Sequence, residues 1–536
     1  MRSRIFVISM FLLVLIIVPY GYALQVGGTD FAFGGFLINP LDGNSYLAKM
    51  YQGWLGEWRM RLPYTADPGA GAYFFTFHLF LGHLARLTGL PLILVYHLTR
   101  LVGTVFLLLA LYRFLIVQGV PSPWGIWAFV LAVFGSGLGW LAVPFQMFTS
   151  DLWVAEAYPF LSAYANAHFP LSLALLLFLL MLPEGRGHIG DASDWTAVVL
   201  ALLLASMSPF GVVLVLVILG GLIAWELWPR LFTRQWIASR PRQAQADERA
   251  RRAEVGRLSK LLRRFVAVLV GGGPWLLYDY WVTRVDPVFA SWNAQNITPA
   301  PPAWDLLLSF SPALLLALPG AWFLLKNRQM AGRSWLVWVV SSLVMLALPL
   351  GLQRRFLMGL FVPLAGLAGF GLARAAEFLG LSRARLLASA VLILSLPTNL
   401  FVLLAAVHGA QTHDPLLYLS RDEARALEWI AANTPLDARI LAAPELALFI
   451  PAHTGRRVIY GHPFETVRAQ VEEQAVIQFF SGQNRQQAID FLQGRGVGYI
   501  LYGRRERALG SLPDLDGIIT PLQNFGQLQI YQVDAP

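Results

Sequence analysis

The feature that most constrains this chain is a series of apolar runs, most of them long enough to cross a bilayer as a helix. A transmembrane helix needs about 20 mainly apolar residues. Hydrophobic residues make up 57% of the 536 positions and charged residues only 13%, about half the charged share of soluble domains. The sequence therefore predicts a polytopic α-helical membrane protein. The runs lie at 5–24, 91–115, 124–146, 169–183, 195–228, 265–283, 303–325, 334–350, 355–376 and 386–407.

The net charge of +9 reflects basic clusters between the apolar runs. Such clusters set membrane orientation, because Lys and Arg are retained on the cytoplasmic side. The charge is therefore not a nucleic-acid footprint, and no nucleic-acid partner is expected. The chain contains no Cys, which excludes disulfides, thiol chemistry and cysteine-ligated metals.

The first run predicts an uncleaved signal anchor with a cytoplasmic N-terminus, since no small-residue cleavage site precedes Gln25. The run 195–228 is interrupted at Ser206, Ser208 and Pro209. If it splits near Met207 into two spans, the basic segment 229–264 falls inside, together with Arg186, the 326–333 loop and the 374–385 loop.

About eleven spans result from this orientation, and the tail from His408 onward lies outside the cytoplasm. The count requires that residues 72–88 do not cross the bilayer. His78, His83 and Arg86 favour an amphipathic helix at the interface for that stretch.

The tail differs in pattern from the rest of the chain. From Ser420 onward, helical periodicity alternates with short β-branched and aromatic runs, which predicts a small α/β domain. It contains neither a phosphate-binding glycine loop nor a nucleophile elbow, and a structural or recognition role is its simplest interpretation. We therefore expect a membrane domain at 1–409, including an outside loop at 25–90, and an extracytoplasmic domain at 410–536.

Acidic residues gather in the first outside loop, where residues 41–58 read LDGNSYLAKMYQGWLGEW. Tyr46, Met50 and Trp54 recur at helical spacing, which predicts an interfacial helix over 43–56 with an aromatic face. Asp42 stands at its start, where backbone amides favour a carboxylate. Asp42 is thus either an N-cap or a catalytic group.

The pattern D-x-x-x-Y-x₆-G-x-x-G-[ED]-W in this loop resembles the GT-C superfamily of membrane glycosyltransferases, most closely its protein O-mannosyltransferase and aminoarabinose transferase branch. The resemblance implies an inverting transfer of a sugar from a polyprenyl-phosphate donor to an extracytoplasmic acceptor. It makes Asp42 the catalytic base and gives Glu57 a structural or acceptor-orienting role. At Gly43 the sequence departs from that branch, which carries a second acid there.

The second outside loop offers Asp151, Glu156 and His168. In GT-C enzymes this loop commonly supplies an acidic residue near the donor or a metal. The sequence defines no cofactor, and a divalent metal remains an open alternative, because sequence cannot show convergent ligands. An interfacial helix cap at Glu156 and a helix-start histidine at His168 are the equally open structural interpretation.

Arg354 and Arg355 lie at an outside membrane boundary, against the positive-inside trend. Arginine binds phosphate with two parallel hydrogen bonds, so this pair is a candidate for the donor phosphate. Anchoring to lipid headgroups is the alternative. At the level of the whole chain, a transporter or lipid flippase and a catalytically inactive GT-C-like scaffold also remain open.

Overall fold

The computed structural model describes residues 2–182, 190–232, 241–327 and 332–534. Arg186 and residues 328–331, which entered the orientation argument, lie outside these ranges. The chain is mainly helical. In chain order the helices are α1 (Arg2–Val26), α2 (Pro40–Leu55), α3 (Thr76–Thr88), α4 (Leu92–Val117), α5 (Trp124–Phe134), α6 (Ser150–Trp153), α7 (Pro159–Ala165), α8 (His168–Met181), α9 (Ala192–Met207), α10 (Pro209–Phe232), α11 (Pro241–Val285), α12 (Pro287–Gln295), α13 (Ala303–Phe310), α14 (Ala313–Lys326), α15 (Arg333–Ala347), α16 (Phe361–Leu379), α17 (Leu381–Ser395), α18 (Pro397–Gln411), α19 (Arg421–Asn433), α20 (Pro444–Ala447), α21 (Ile450–Thr454), α22 (Ala469–Phe480), α23 (Arg485–Arg495) and α24 (Arg504–Leu509).

Seven strands form two sheets. β1 (Phe31–Phe33) pairs antiparallel with β2 (Tyr418–Ser420). The second sheet has five strands in the order β4-β3-β5-β7-β6, in which β3 pairs in parallel with β4 and β5, and β7 pairs antiparallel with β5 and β6. Its strands are β3 (Arg439–Leu441), β4 (Arg457–Val458), β5 (Tyr499–Tyr502), β6 (Ile519–Phe525) and β7 (Leu528–Val533).

The membrane class predicted from sequence agrees with the helices. Within the described residues, six helical stretches are long and apolar enough to cross a bilayer, and α13 with α14 gives up to seven as a pair bent by 86°. Four shorter apolar helices, α5, α8, α9 and α15, accompany them. The total of eleven spans stays a prediction.

The run 195–228 divides where the sequence indicated. Helix α9 ends at Met207 and α10 begins at Pro209, because proline lacks the N–H that a continuing helix needs and suits a first helical position. The basic segment 229–264 differs from the expected loop, since α11 is already helical from Pro241. Its run of Ala, Arg, Gln and Glu has high helix propensity.

Contacts divide the chain into two compact units. The first comprises residues 1–13, 100–278 and 298–402. In this unit α14 and α16 approach closely through glycines: a Cβ on Gly320 would meet the Leu367 carbonyl oxygen at 2.0 Å, and one on Gly371 would meet that of Leu316 at 2.2 Å. Trp335 and Trp338 are fully buried beside Phe114.

The second unit comprises residues 14–99, 279–297 and 403–536. The first outside loop was assigned from the sequence to the membrane domain. Its contacts place it in the same unit as the tail. The β1–β2 pairing joins them. In this unit α2 and α3 pack backbone to backbone, because a Cβ on Gly53 would meet the Leu79 carbonyl oxygen at 2.0 Å.

The tail contains the alternation of helices and strands that its sequence indicated. Ser420 and Glu423 form a capping box at the start of α19, each side chain accepting a backbone N–H of the other residue. Helices α22 and α23 pack their buried faces, including Phe479 and Phe491, against the five-stranded sheet. The strand expected around residue 457 is only two residues long.

Candidate functional site

Helix α2 begins earlier than the sequence suggested. Asn39 occupies the N-cap position with φ 50°, and Pro40 is the first helical residue. Asp42 therefore lies in the first turn, and the interpretation of Asp42 as the N-cap is wrong, because the left-handed Asn39 and the proline set the start. A carboxylate in the first turn still benefits from the helix dipole. Asp42 is half-buried.

The face of α2 that carries Tyr46 and Met50 does not lie open to the interface. Tyr46 stacks on His78 of α3, with ring centroids 4.4 Å apart, and Met50 is fully buried. Trp54 alone of the predicted aromatic face is exposed. Helix α3 covers this face, and a single helix's periodicity does not reveal which surface it packs against. That α2 lies at the membrane interface stays a prediction.

Lys49, one turn before Gly53, is completely buried and lies among polar partners that the sequence analysis missed. Its Nζ lies 2.8 Å from Glu465 Oε1 and donates to Ser45 Oγ at 2.6 Å. It also lies 3.9 Å from the centroid of the Phe75 ring, a cation–π contact. A lysine on the apolar face of an amphipathic helix indicates a buried cation that needs a partner. Nothing in the sequence identified Glu465 as that partner.

His462 precedes Glu465 in the same loop and is also buried. Its Nδ1 accepts hydrogen bonds from the backbone N–H groups of Phe464 and Glu465, at 3.1 and 3.2 Å. Burial lowers the pKa of His462 below its usual value, although the carboxylates of Glu465 and Asp42 oppose that shift. The loop therefore brings a neutral imidazole beside the start of α2.

Glu57 lies just beyond the C-terminal end of α2 and is exposed. Its backbone oxygen is 3.1 Å from His83 Nε2, and the His83 ring stacks on Trp58 at 4.1 Å. Between Asp42 and Leu55 the helix rises about 20 Å at 1.5 Å per residue. The two acids therefore lie at opposite ends of α2, as the sequence suggested.

In the first unit, Asp151 is fully buried and hydrogen-bonded on both oxygens. Thr149 Oγ1 lies 2.6 Å from Oδ1, and the Gly139 N–H lies 3.0 Å from Oδ2. Ser309 Oγ lies 3.2 Å from Asp151 Oδ1 and 2.5 Å from Asp305 Oδ1, and Ser150 donates to Asp305 through its N–H and its hydroxyl. Burial raises the pKa of Asp151. These bonds pin the second loop to α13.

Glu156 and the arginine pair come together in the same unit. Arg355 Nη1 lies 3.1 Å from Glu156 Oε1, and about a third of the Arg355 side chain is exposed while Glu156 is nearly buried. The Arg354 guanidinium lies 4.4 Å from the Trp153 ring centroid. The second loop thus supplies a carboxylate to Arg355 and an aromatic ring to Arg354, contacts that the sequence did not indicate.

His168 begins α8, as predicted, and its ring lies 4.2 Å from that of Phe169. Across the described ranges, no group of three or more His, Asp or Glu side chains is arranged to hold a metal ion. Asp151 and Asp305 accept hydrogen bonds from the surrounding hydroxyl and N–H groups, which leaves this buried pair poorly suited to a cation. The described residues therefore define no metal site, and no cofactor is established.

No protein-family model and no curated protein sequence matches this chain. Solved structures do. An oligosaccharyltransferase of Archaeoglobus fulgidus tethered to an acceptor peptide aligns with a TM-score of 0.50 and 14% identity, over 92% of this chain and 69% of that one. The same enzyme, AglB, with an inhibitory peptide and a dolichol-phosphate gives 0.50 and 13%, with 92% and 69% covered. The arabinofuranosyltransferase AftD from Mycobacteria gives 0.52 and 15% identity, over 98% of this chain and 40% of that one.

The helices and the alignments define a class of polytopic α-helical membrane proteins that carry an α/β tail. More particularly, the fold is that of the GT-C glycosyltransferases, since AglB and AftD align over nearly the whole chain. The resemblance that residues 42–58 indicated is thereby confirmed at the level of fold.

Proposed function

We propose that this protein is an inverting glycosyltransferase that moves a sugar from a polyprenyl-phosphate donor to an extracytoplasmic acceptor. The observation that carries the proposal is the acid Asp42 in the first turn of α2, within a chain that has a GT-C fold. AglB has been solved with a dolichol-phosphate and with an acceptor peptide, which supports a lipid-linked donor here.

In the proposed reaction the acceptor hydroxyl or amine attacks the anomeric carbon of the sugar. The new bond to that carbon forms as its bond to the phosphate oxygen breaks, with inversion of configuration. Asp42 takes the acceptor's proton as general base, and the polyprenyl phosphate leaves with the electron pair. Arg354 and Arg355 bind the phosphate, and Glu57 has a structural or acceptor-orienting role.

The arginines suit a phosphate because guanidinium groups bind its oxygens with paired charge-assisted hydrogen bonds. Arg355 is partly exposed, and its Nη1 pairs with one carboxylate oxygen of Glu156. A phosphate would compete with Glu156 for the same guanidinium. Glu156 therefore pairs with Arg355 when no donor is bound and is displaced by the donor phosphate. Asp151 has a structural role in the second loop, and His168 is the first residue of α8.

A direct test incubates the purified protein with a lipid extract and a membrane fraction of its source, and measures release of polyprenyl phosphate by mass spectrometry. Release that requires both fractions is the expected result. Release without the membrane fraction would indicate hydrolysis, and no release under any condition would contradict the proposal.

The proposed orientation places the N-terminus in the cytoplasm and residues 410–536 outside it, in the cell membrane of the source. The chain has no Cys, so single cysteines can be introduced without background. Gln474→Cys, an exposed position on α22, should react with an impermeant maleimide in intact cells. Gln245→Cys in the basic segment should react only after lysis, and the reverse pattern would invert the topology.

A further inference from the structure

Two arginines lie side by side where the parallel strands of the tail begin. Arg439 is the first residue of β3 and Arg457 the first residue of β4, and the two are partners in the register of the sheet. Neighbouring strands lie about 4.8 Å apart, and residues opposite each other in register send their side chains to the same face. Two guanidinium groups therefore leave one face of the sheet from adjacent positions.

The face that carries this pair is the one covered by α22 and α23. Leu441 follows Arg439 by two positions in β3, so both side chains point to the same face, and Leu441 is buried in the core that the two helices form with the sheet. Arg439 Nη1 donates to the carbonyl of Arg495, the last residue of α23, at 2.8 Å. The pair thus lies at the margin of this core, beside the end of α23.

Most of the hydrogen-bond donors of the two guanidinium groups are unused. Each group has five N–H donors, and Arg439 places one of them on the carbonyl of Arg495. Arg457 is half-buried. Among the residues that the structure describes, none forms a hydrogen bond or an ion pair with its side chain.

The charges around Arg457 do not replace a direct partner. Burial, the largest influence, lowers the pKa of Arg457 below its usual value, and the charges of Arg439 and Arg61 add to that shift. The carboxylates of Asp437 and Asp67 oppose it. Both of these acids are exposed, and across the described part of the chain neither is within ion-pair distance of Arg457.

A half-buried cation beside a like charge is unfavourable for the folded chain on its own. Like charges opposite each other in a sheet destabilise the strand pair, and a buried charge without a partner costs free energy. An oxyanion removes both costs, because it neutralises the two cations and accepts paired charge-assisted hydrogen bonds from a guanidinium. The arrangement therefore suits a bound anion.

We propose that Arg439 and Arg457 form an anion-binding site in the tail, which takes the carboxylate or phosphate group of a small ligand. Arg457 donates the paired hydrogen bonds, and Arg439, held beside the end of α23, adds the second positive charge. The oxyanion has two sources, an acidic sugar unit and free inorganic phosphate. The site does not depend on the proposed transfer reaction or on its residues.

Isothermal titration calorimetry of the whole protein in detergent measures the binding. The probes are inorganic phosphate and galacturonate, with galactose as the uncharged counterpart of galacturonate. Because Arg354 and Arg355 are also proposed to bind a phosphate, the titrations use the variant in which both are replaced by Gln. We expect both anions to bind and galactose not to bind. Tighter binding of galacturonate identifies an acidic sugar as the source, and tighter binding of phosphate identifies the free ion.

Arg457→Gln, added to that variant, should raise the dissociation constant of both anions on the order of tenfold, because charge-assisted hydrogen bonds are lost. Arg485→Gln is the matched control. Arg485 lies at the other end of α23, about 15 Å from Arg495 at 1.5 Å per residue, and pairs with Asp514. Its replacement should leave anion binding unchanged.

Unfolding temperatures separate binding from a structural role of Arg457. Without anions, Arg457→Gln should unfold at a slightly higher temperature than the chain with Arg457, because the repulsion from Arg439 is relieved. With saturating anion the order should reverse, because only the chain with Arg457 gains the full binding free energy. Absence of anion binding, an unchanged dissociation constant in Arg457→Gln, or an equal loss in Arg485→Gln overturns the proposal. A lower unfolding temperature of Arg457→Gln that anions do not change overturns it as well.

Discussion

Lys49 of α2 and Glu465 of the loop between β4 and α22 form an ion pair with Nζ–Oε1 2.8 Å, although 416 positions separate them in the sequence. Both side chains are nearly inaccessible to solvent. A buried pair with one partner removed leaves an uncompensated charge, whereas two apolar groups of similar volume do not. The pair therefore makes the stability of the first outside loop depend on the tail.

Lys49→Met should be strongly destabilising because it leaves Glu465 buried without its cation. We expect a loss of about 3–5 kcal/mol in the free energy of unfolding, measured by chemical denaturation in detergent followed by tryptophan fluorescence. The double variant Lys49→Met with Glu465→Met should recover much of that loss.

The exposed pair Arg485–Asp514 provides a matched control, with side-chain exposures of 43% and 72%. Arg485→Met should cost less than about 1 kcal/mol. Equal losses in Lys49→Met and Arg485→Met would show that the buried pair has no special role.

Acid should destabilise the second unit through His462 and Glu465. Burial opposes ionisation of Glu465, but the charges of Lys49 and His462 and the hydrogen bonds of Lys49 and Ser45 together outweigh it and lower the pKa of Glu465 from the usual 4.5. Burial lowers the pKa of His462 from 6.5. A group with a lowered pKa contributes stability above its unfolded pKa and loses it as pH falls through the folded value. Unfolding temperatures should therefore decline from pH 7 downward, first through His462 and then through Glu465.

The two contributions can be assigned by variants. His462→Gln should flatten the part of the pH curve that begins below 6.5, and Glu465→Gln the part that begins below 4.5. A decline that keeps its shape in both variants would assign the acid sensitivity to other groups.

The close approach of α2 and α3 should be intolerant of side chains. A Cβ on Gly82 would meet the Met50 carbonyl oxygen at 1.9 Å, and neither backbone can yield without separating the helices. Gly82→Ala should cost about 1–3 kcal/mol, as overpacking does. Gly494→Ala on α23 is the control, since a Cβ there meets nothing within 4 Å and should gain up to about 1 kcal/mol through helix propensity.

Local signals explain what the sequence predicted correctly. Pro209, after Ser208, ends α9 and starts α10. The capping box of Ser420 and Glu423 starts α19. Such features need only neighbours three or four positions away. The membrane class could be predicted from composition, because apolar runs of about 20 residues are long enough to cross a bilayer as a helix.

The missed features depend on partners far apart in the chain. Glu156 was considered as a metal ligand, yet its partner Arg355 lies 199 positions away. The start of α2 was misplaced because Asn39, the residue before it, adopts a left-handed backbone conformation. That conformation is uncommon for residues other than glycine. Sequence periodicity defines the face of a helix, but only the folded chain identifies what that face meets.

The pairing of Glu156 with Arg355 predicts opposite effects of two substitutions on lipid-phosphate binding. Replacing both Arg354 and Arg355 with Gln should weaken binding of undecaprenyl phosphate about tenfold or more, since each arginine would lose charge-assisted hydrogen bonds. Glu156→Gln should tighten binding, because the competing carboxylate is removed. Binding is measured by titration of the lipid in detergent micelles.

Arg374 supplies a control for the arginine prediction, as it pairs with Glu377 three residues away on α16. Arg374→Gln should leave undecaprenyl phosphate binding unchanged. Weakening by Glu156→Gln, rather than tightening, would mean that Glu156 orients Arg355 for the phosphate instead of competing with it. Unchanged binding in the double arginine variant would reduce both residues to headgroup anchors.

Asp42 and Glu57 are predicted to have unequal roles in transfer because α2 separates them by about 20 Å. One anomeric carbon cannot contact both. Asp42→Asn keeps the side-chain shape and removes the base, and it costs the helix only its dipole interaction, about 0.3–1 kcal/mol. Loss of a general base lowers the rate about a hundredfold to ten-thousandfold, so release of polyprenyl phosphate should nearly vanish. Glu57→Gln, on an exposed side chain, should lower it only in part. Near-normal release in Asp42→Asn would transfer the role of base to another acid. The next to test are Asp30, which lies in the first outside loop between α1 and β1, and Glu156.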